Sequence, residues 1–201
     1  MKYQEFKKLI NKPFFNNHDI KMYKATVVPA QLHLWKKRDY IHNIKRGLYY
    51  FVDKKQDITV YDVAAILYEP SYISVETALH FYGVIPDITQ TVTAVTTKTT
   101  RTFTNDFGTF IYQSIKPALF FGYTVEQTSK GKYLFAEPEK ALLDFLYLRL
   151  GKIENESDIA ELRFNYEVLR EIISTKKINE YAKEFAIQKI ERVIKFILQQ
   201  C

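Results

Sequence analysis

From Lys24 to Val52 the sequence reads KATVVPAQLHLWKKRDYIHNIKRGLYYFV, and this stretch restricts the fold more than any other. Thr26 has the hydroxyl expected of an N-cap, and Pro29 then falls in the first helical turn, where a missing N–H costs nothing. At about 100° per residue, Val28, Leu32 and Trp35 share one face. The opposite face carries Ala30, His33 and Lys37, flanked by Leu34 and Lys36. One side suits a core; the other is small at its start and cationic at its end. A hairpin is expected next: Ile41 to Ile44, a basic turn of Lys45, Arg46 and Gly47, then the aromatic strand Leu48 to Phe51. Gly47 supplies the positive φ that a tight turn needs. Adjacent cations at a hairpin tip do little for stability, but beside a phosphate backbone they are favourable. The plainer alternative is a solvated hairpin with two exposed charges.

Charge is unevenly distributed. The chain of 201 residues has a net charge of +6, yet residues 1–58 hold 13 Lys/Arg against 5 Asp/Glu. The remainder holds 16 against 18, so all the excess positive charge lies in the part containing the helix and hairpin. Such asymmetry suggests a basic nucleic-acid module joined to a near-neutral unit. An apolar content of 47% is enough for a core, and the 15 Phe and 15 Tyr read mainly as its filler. The one cysteine is Cys201, which excludes an internal disulfide and a Cys-based zinc site. No apolar run approaches the roughly 18 residues of a membrane span, and the lysine-rich start lacks a secretory apolar core. The expected setting is cytoplasmic.

Residues 3–10 place Tyr3, Phe6, Leu9 and Ile10 at helical spacing, and Pro13 ends that helix. Asn16 or Asn17 can cap a second short helix through Ile20 and Tyr23. Three short helices and a hairpin predict a winged helix-turn-helix over residues 1–56, with the polar break DKKQD at 53–57 as the boundary. For 57–201 we expect an α+β domain. It begins with a helix from Thr59 to Pro70 and another from an N-cap at Ser74 to Gly83, with Glu76 and His80 as a surface pair. Thr- and Val-rich segments from Thr91 to Phe135 predict a small, largely antiparallel sheet. EKALLDFLYLRL, after Pro138, is apolar around most of its circumference and reads as a buried helical spine. Helices are expected near 157–164, 166–174 and 179–199.

Four segments in this order, KRGLYYF, SYISVETALHFYGVIPD (71–87), VTAVTTKTTRTF (92–103) and FAEPEKALLDFLYL (135–148), resemble the AbiEi antitoxins over about residues 15–150. The resemblance implies a transcriptional repressor that binds inverted repeats in its own promoter through the winged helix. It also implies that the second domain counters a nucleotidyltransferase-like AbiEii toxin in a type IV toxin–antitoxin, or abortive-infection, system. Type IV antitoxins generally oppose the toxin's effect without a long-lived complex. The DNA-binding role then falls on Ala30, His33, Leu34, Lys36, Lys37, Lys45 and Arg46. The antitoxin role falls on the segments carrying Tyr72, Ser74, Glu137, Glu139, Lys140 and Asp144. One departure from such modules is Tyr40, preceded by Asp39, where a glycine commonly joins helix and wing.

Chemistry for catalysis is sparse. His18, His33, His42 and His80 show no metal-ligand spacing. Glu139 and Lys140 are adjacent, whereas a metal-dependent nuclease would separate acid from lysine by one residue. Glu137 and Glu139 suit the start of the following helix. No phosphate-binding glycine loop or nucleophile elbow is present, so the expectation is a non-enzyme without a cofactor. The competing reading is an adaptor whose α+β domain binds a protein partner and whose basic part binds RNA or nucleic acid non-specifically.

Overall fold

The computed structural model describes residues 1–86, 91–128 and 131–201. Its first unit runs α1 (Tyr3–Leu9), β1 (Phe14–Asn16), α2 (Asn17–Met22), α3 (Pro29–Lys37), β2 (Ile41–Lys45) and β3 (Leu48–Phe51). β3 lies in the middle of an antiparallel sheet of order β1-β3-β2. The helices close over a core of Phe6, Ile10, Phe15, Ile20, Trp35, Ile41 and Phe51. Trp35 is its centre: Phe6 stacks on it at 5.2 Å and Tyr3 meets it edge-on at 5.6 Å. α2 starts at a reciprocal capping box. Asn16 accepts from the amides of His18 and Asp19 at 2.7 and 2.9 Å, while Asp19 accepts from the Asn16 amide at 2.8 Å.

The start of α3 differs from expectation. The N-cap is Val28, not Thr26, and the Gln31 side chain accepts from the Val28 amide at 3.0 Å. Proline at the first helical position is the cause, because its ring keeps the preceding residue extended. Val28 has ψ 154°. Phe14 and Phe15 form a short strand.

Successive side chains of a strand point to opposite faces, and here both faces of the hairpin are covered. Ile41 and Phe51 join the first core, whereas Ile44, Leu48 and Tyr50 join the core of the second unit. Burial on both sides explains why LYYF is continuously apolar rather than alternating.

After a 3-10 turn at Val52–Asp57, the second unit continues with α4 (Val60–Leu67), β4 (Ser71–Ile73), α5 (Val75–Phe81), β5 (Thr91–Thr96), β6 (Arg101–Asn105), β7 (Gly108–Ser114), β8 (Tyr123–Thr128) and β9 (Gly131–Ala136). It closes with α6 (Pro138–Arg149), α7 (Glu156–Ala160), α8 (Tyr166–Ile172), α9 (Thr175–Phe185) and α10 (Gln188–Gln200). The strands form one sheet of order β6-β7-β5-β4-β9-β8. The row Tyr112, Ala94, Ile73 and Phe135 faces α4, and the Tyr112 hydroxyl donates to the Ala64 carbonyl at 2.5 Å. Tyr72, one residue away, faces α6 on the other side. α6 is the buried spine expected from its sequence: every residue from Glu139 to Leu146 is buried.

The chain is therefore α+β, and its larger sheet is mostly antiparallel, as expected, but contains two parallel pairings. β5 pairs with β7 in parallel and β4 with β9 in parallel; β4–β5, β6–β7 and β8–β9 are antiparallel. Two placements make the parallel pairs: β4, only three residues long, inserts between β5 and β9, and β7 lies between β6 and β5. The expected last helix is also two. Ala186 adopts φ 52°, a left-handed residue between α9 and α10. An alanine is not a natural stop, so the packing of both helices on the core imposes the break.

Candidate functional site

The residues assigned to DNA contact lie on two surfaces. On α3, Trp35 faces inward and Ala30, His33, Leu34, Lys36 and Lys37 are exposed, with Arg38 exposed just beyond. Lysines in the last turn also suit the negative end of the helix dipole. At the hairpin turn Arg46 is exposed, but Lys45 is turned inward. Its ammonium donates to the carbonyl of Leu67 at 2.5 Å, at the end of α4. Burial pushes the Lys45 ammonium down from its usual range, and the nearby Lys98 and Arg101 add to this against Glu69. Lys45 thus caps a helix of the second unit.

The segments carrying Tyr72, Ser74, Lys140 and Asp144 converge, although about seventy residues separate the two pairs. Lys140 and Asp144 are one turn apart on α6 and form an ion pair with 0% exposure. Tyr72 on β4 donates its hydroxyl to Asp144 Oδ2 at 2.8 Å and accepts from Lys140 Nζ at 2.8 Å. Ser74 donates to the same Oδ2 at 2.9 Å. Ser74 does stand at the N-cap of α5, but its hydroxyl goes to Asp144, and the first-turn amide of Thr77 donates instead to Thr93 Oγ1 at 3.0 Å. The Lys140 ammonium also sits 5.2–5.3 Å from the ring centres of Tyr72, Phe121 and Phe185.

Burial pushes the Asp144 carboxyl up and the Lys140 ammonium down, each toward its neutral form. The opposite charge, and for Asp144 the two hydroxyls, oppose that shift. A carboxylate with three donors and an ammonium with a carboxylate, a phenol and three rings are well satisfied. With all four side chains buried, the quartet ties β4 to α6.

Glu137 and Glu139 flank this cluster at the start of α6. Glu137 pairs with Lys177 at 2.9 Å and accepts from Tyr181 at 2.6 Å; Glu139 accepts from the Ser174 amide at 2.9 Å. They stand at a helix start, as expected, and bind it to the start of α9. The expected Glu76–His80 pair does not form. Glu76 pairs instead with Arg149 on α6, and His80 Nδ1 lies 3.4 Å from the Ile85 carbonyl. Tertiary packing of α5 on α6 offered the carboxylate a stronger, charged partner.

Comparison with protein-family models and with curated proteins gave no match. Among the described residues no group of three or more His, Cys, Asp or Glu is placed so that it could hold a metal ion, and no helix is long and apolar enough to cross a membrane.

Two groups that complete these surfaces were not singled out from the sequence. Gly122 closes the cage: it has φ 70°, and a Cβ there would lie 3.0 Å from Lys140 Cβ and Cγ and from Tyr181 Cε2. Its place within the aromatic run FFGY was the only hint. Gly122→Ala is expected to cost about 1–3 kcal/mol through overpacking, read from the midpoint of urea unfolding. An unchanged midpoint would show that the cage yields without strain. The second is Asp106, in the β6–β7 turn, which reaches across to the hairpin and has no local pattern to mark it.

Proposed function

We propose that the chain is a DNA-binding repressor of its own operon and the antitoxin of a type IV toxin–antitoxin system, opposing a nucleotidyltransferase-like toxin. The observation that carries the reading is the outer face of α3. The helix is held by buried Trp35, and Ala30, His33, Leu34, Lys36 and Lys37 are left to solvent. The helix–strand–helix–helix–strand–strand order and the β1-β3-β2 sheet agree with a winged helix-turn-helix. The concentration of positive charge in residues 1–58 and the four AbiEi-like segments support the same reading. Inverted repeats would require two copies on DNA. The buried quartet makes Tyr72, Ser74, Lys140 and Asp144 supports of the second domain's shape, and any contact with toxin falls to other surfaces.

The test is footprinting on the operon's own upstream DNA, with affinity measured against salt. A steep fall in affinity with salt is expected, by a slope near the number of phosphates neutralised. His33→Ala and Lys37→Ala should blur discrimination at particular base pairs by about 1–3 kcal/mol each. Arg46→Ala should weaken all duplexes alike. Lys45→Ala acts first on the seating of α4, because its ammonium is engaged there. Equal losses on specific and random DNA for the α3 variants would reject base reading by this helix.

One observation favours the adaptor reading. β3 begins at Leu48, opposite Asn16 of β1, so the turn does not extend beyond the sheet as a long wing. On that reading the protein binds RNA or random duplex as tightly as its own promoter.

A further inference from the structure

His42 stands where the two units meet, and each of its ring nitrogens faces a carboxylate. Nε2 is 2.5 Å from Asp39 Oδ1, in the turn that follows α3. Nδ1 is 3.0 Å from Asp106 Oδ2, in the β6–β7 turn of the second unit. Tyr50 of β3 donates its hydroxyl to the same Asp106 oxygen at 2.7 Å, and its oxygen is 3.2 Å from His42 Nδ1. Lys55, in the 3-10 turn, lies close enough to act on Asp106 and stacks over Phe107 at 5.6 Å. Phe107 in turn meets Tyr50 edge-on at 5.0 Å, and Asn105 donates to the Ile44 carbonyl at 3.2 Å. The β6–β7 turn therefore grips the hairpin by apolar and neutral contacts as well as by this charged one.

A neutral imidazole carries one N–H, so one of its nitrogens must present a lone pair to a carboxylate or, at Nδ1, accept from the Tyr50 hydroxyl, which then gives up Asp106. The imidazolium carries a proton on both and satisfies both acids. We propose that His42 is a proton-operated clasp that joins the end of α3 to the second unit when protonated and releases one side when neutral. The inference is independent of what α3 binds. It means that the seating of the α3 end on the rest of the chain changes with pH.

The charge environment agrees. The hydrogen bond to Asp106 raises the His42 pKa above its usual value against a desolvation effect, and Asp39 adds to the rise. Asp106 is lowered, first by the Tyr50 hydrogen bond and then by His42. A group whose folded pKa is raised contributes stability that is complete below its unfolded pKa, about 6.5. That stability is lost as pH rises through the folded value.

The experiment is a histidine-detected NMR titration of the full chain, with thermal unfolding of wild type and His42→Gln across the same pH range. His42 is expected to titrate above about 6.5, and Asp106→Asn and Asp39→Asn should each lower that value. Wild type should melt on the order of 1–4 °C above His42→Gln near pH 6, and the gap should close as the imidazole deprotonates. A His42 that titrates at or below its free value, or a melting gap that does not vary with pH, overturns the clasp. The wild-type titration needs no variant to fold, so the proposal is decided even if a substitution fails.

Discussion

Asp144→Ala is expected to destabilise the chain by about 3–5 kcal/mol, because it leaves the Lys140 ammonium buried without its counter-charge. The expectation follows from the geometry. Both side chains have 0% exposure, and Asp144 accepts from Lys140, Tyr72 and Ser74. Removing it also strips two hydroxyls of their acceptor, each worth roughly 1–3 kcal/mol when left unsatisfied. Relaxation and uptake of water or loss of the lysine's proton keep the total from being the full sum. The measurement is urea unfolding followed by circular dichroism, with the slope compared between variants to check that the transition remains two-state. The control is the double variant Lys140→Met/Asp144→Leu. Replacing a buried ion pair with apolar side chains of similar volume is often neutral or stabilising, so the double variant should recover most of the loss. A single variant that loses less than about 1 kcal/mol would mean that the pair is not the tie between β4 and α6 described above. Loss of an antitoxin effect in Asp144→Ala would then be read as loss of shape, and the double variant distinguishes that from loss of a contact.

The second large effect is expected at Trp35→Ala, about 3–5 kcal/mol for deleting a buried aromatic that its neighbours cannot replace. Trp35 is 4% exposed and in ring contact with Tyr3 and Phe6. It is the single tryptophan, so unfolding of the variant has to be followed by circular dichroism rather than fluorescence. Because Trp35 is the only fully buried residue of α3, its removal should unseat that helix and abolish binding to specific and random duplex together. His33→Ala, on the exposed face, should leave stability within about 0.5 kcal/mol of wild type. If Trp35→Ala bound the promoter normally, the seating of α3 would have no part in recognition. Measured together, the two variants separate the face that holds the helix from the face that is offered to a partner.

Much of the first unit could be read locally. Asn16 carries a short acceptor three residues before Asp19, which is the pattern of a reciprocal cap, and the cap forms. Leu48 to Phe51 between a basic turn and a polar break reads as a strand and is one. α6 announces itself by apolar residues on nearly all sides, a pattern that only complete burial allows. Thr26 misled because its hydroxyl is a good acceptor, whereas the conformation of Val28 was dictated by Pro29. Of the two turn cations Lys45 points inward; charge alone does not say which way a side chain points. Lys45 found the carbonyls of α4, twenty-two residues further along the chain.

By itself, then, the sequence determined the helices, the hairpin, the uneven charge and the burial of α6, since each follows from spacing, capping or composition within a few turns of chain. Tertiary structure decided the rest. It put β4 between β5 and β9 and β7 between β6 and β5, which gives the sheet its parallel pairings, brought Tyr72 and Ser74 to Lys140 and Asp144, broke the last helix at Ala186, and set His42 between Asp39 and Asp106. These outcomes depend on which distant groups meet once water is excluded. Burial makes an unpaired charge or hydroxyl costly, and the partner that relieves that cost is chosen by the fold, not by proximity in the chain.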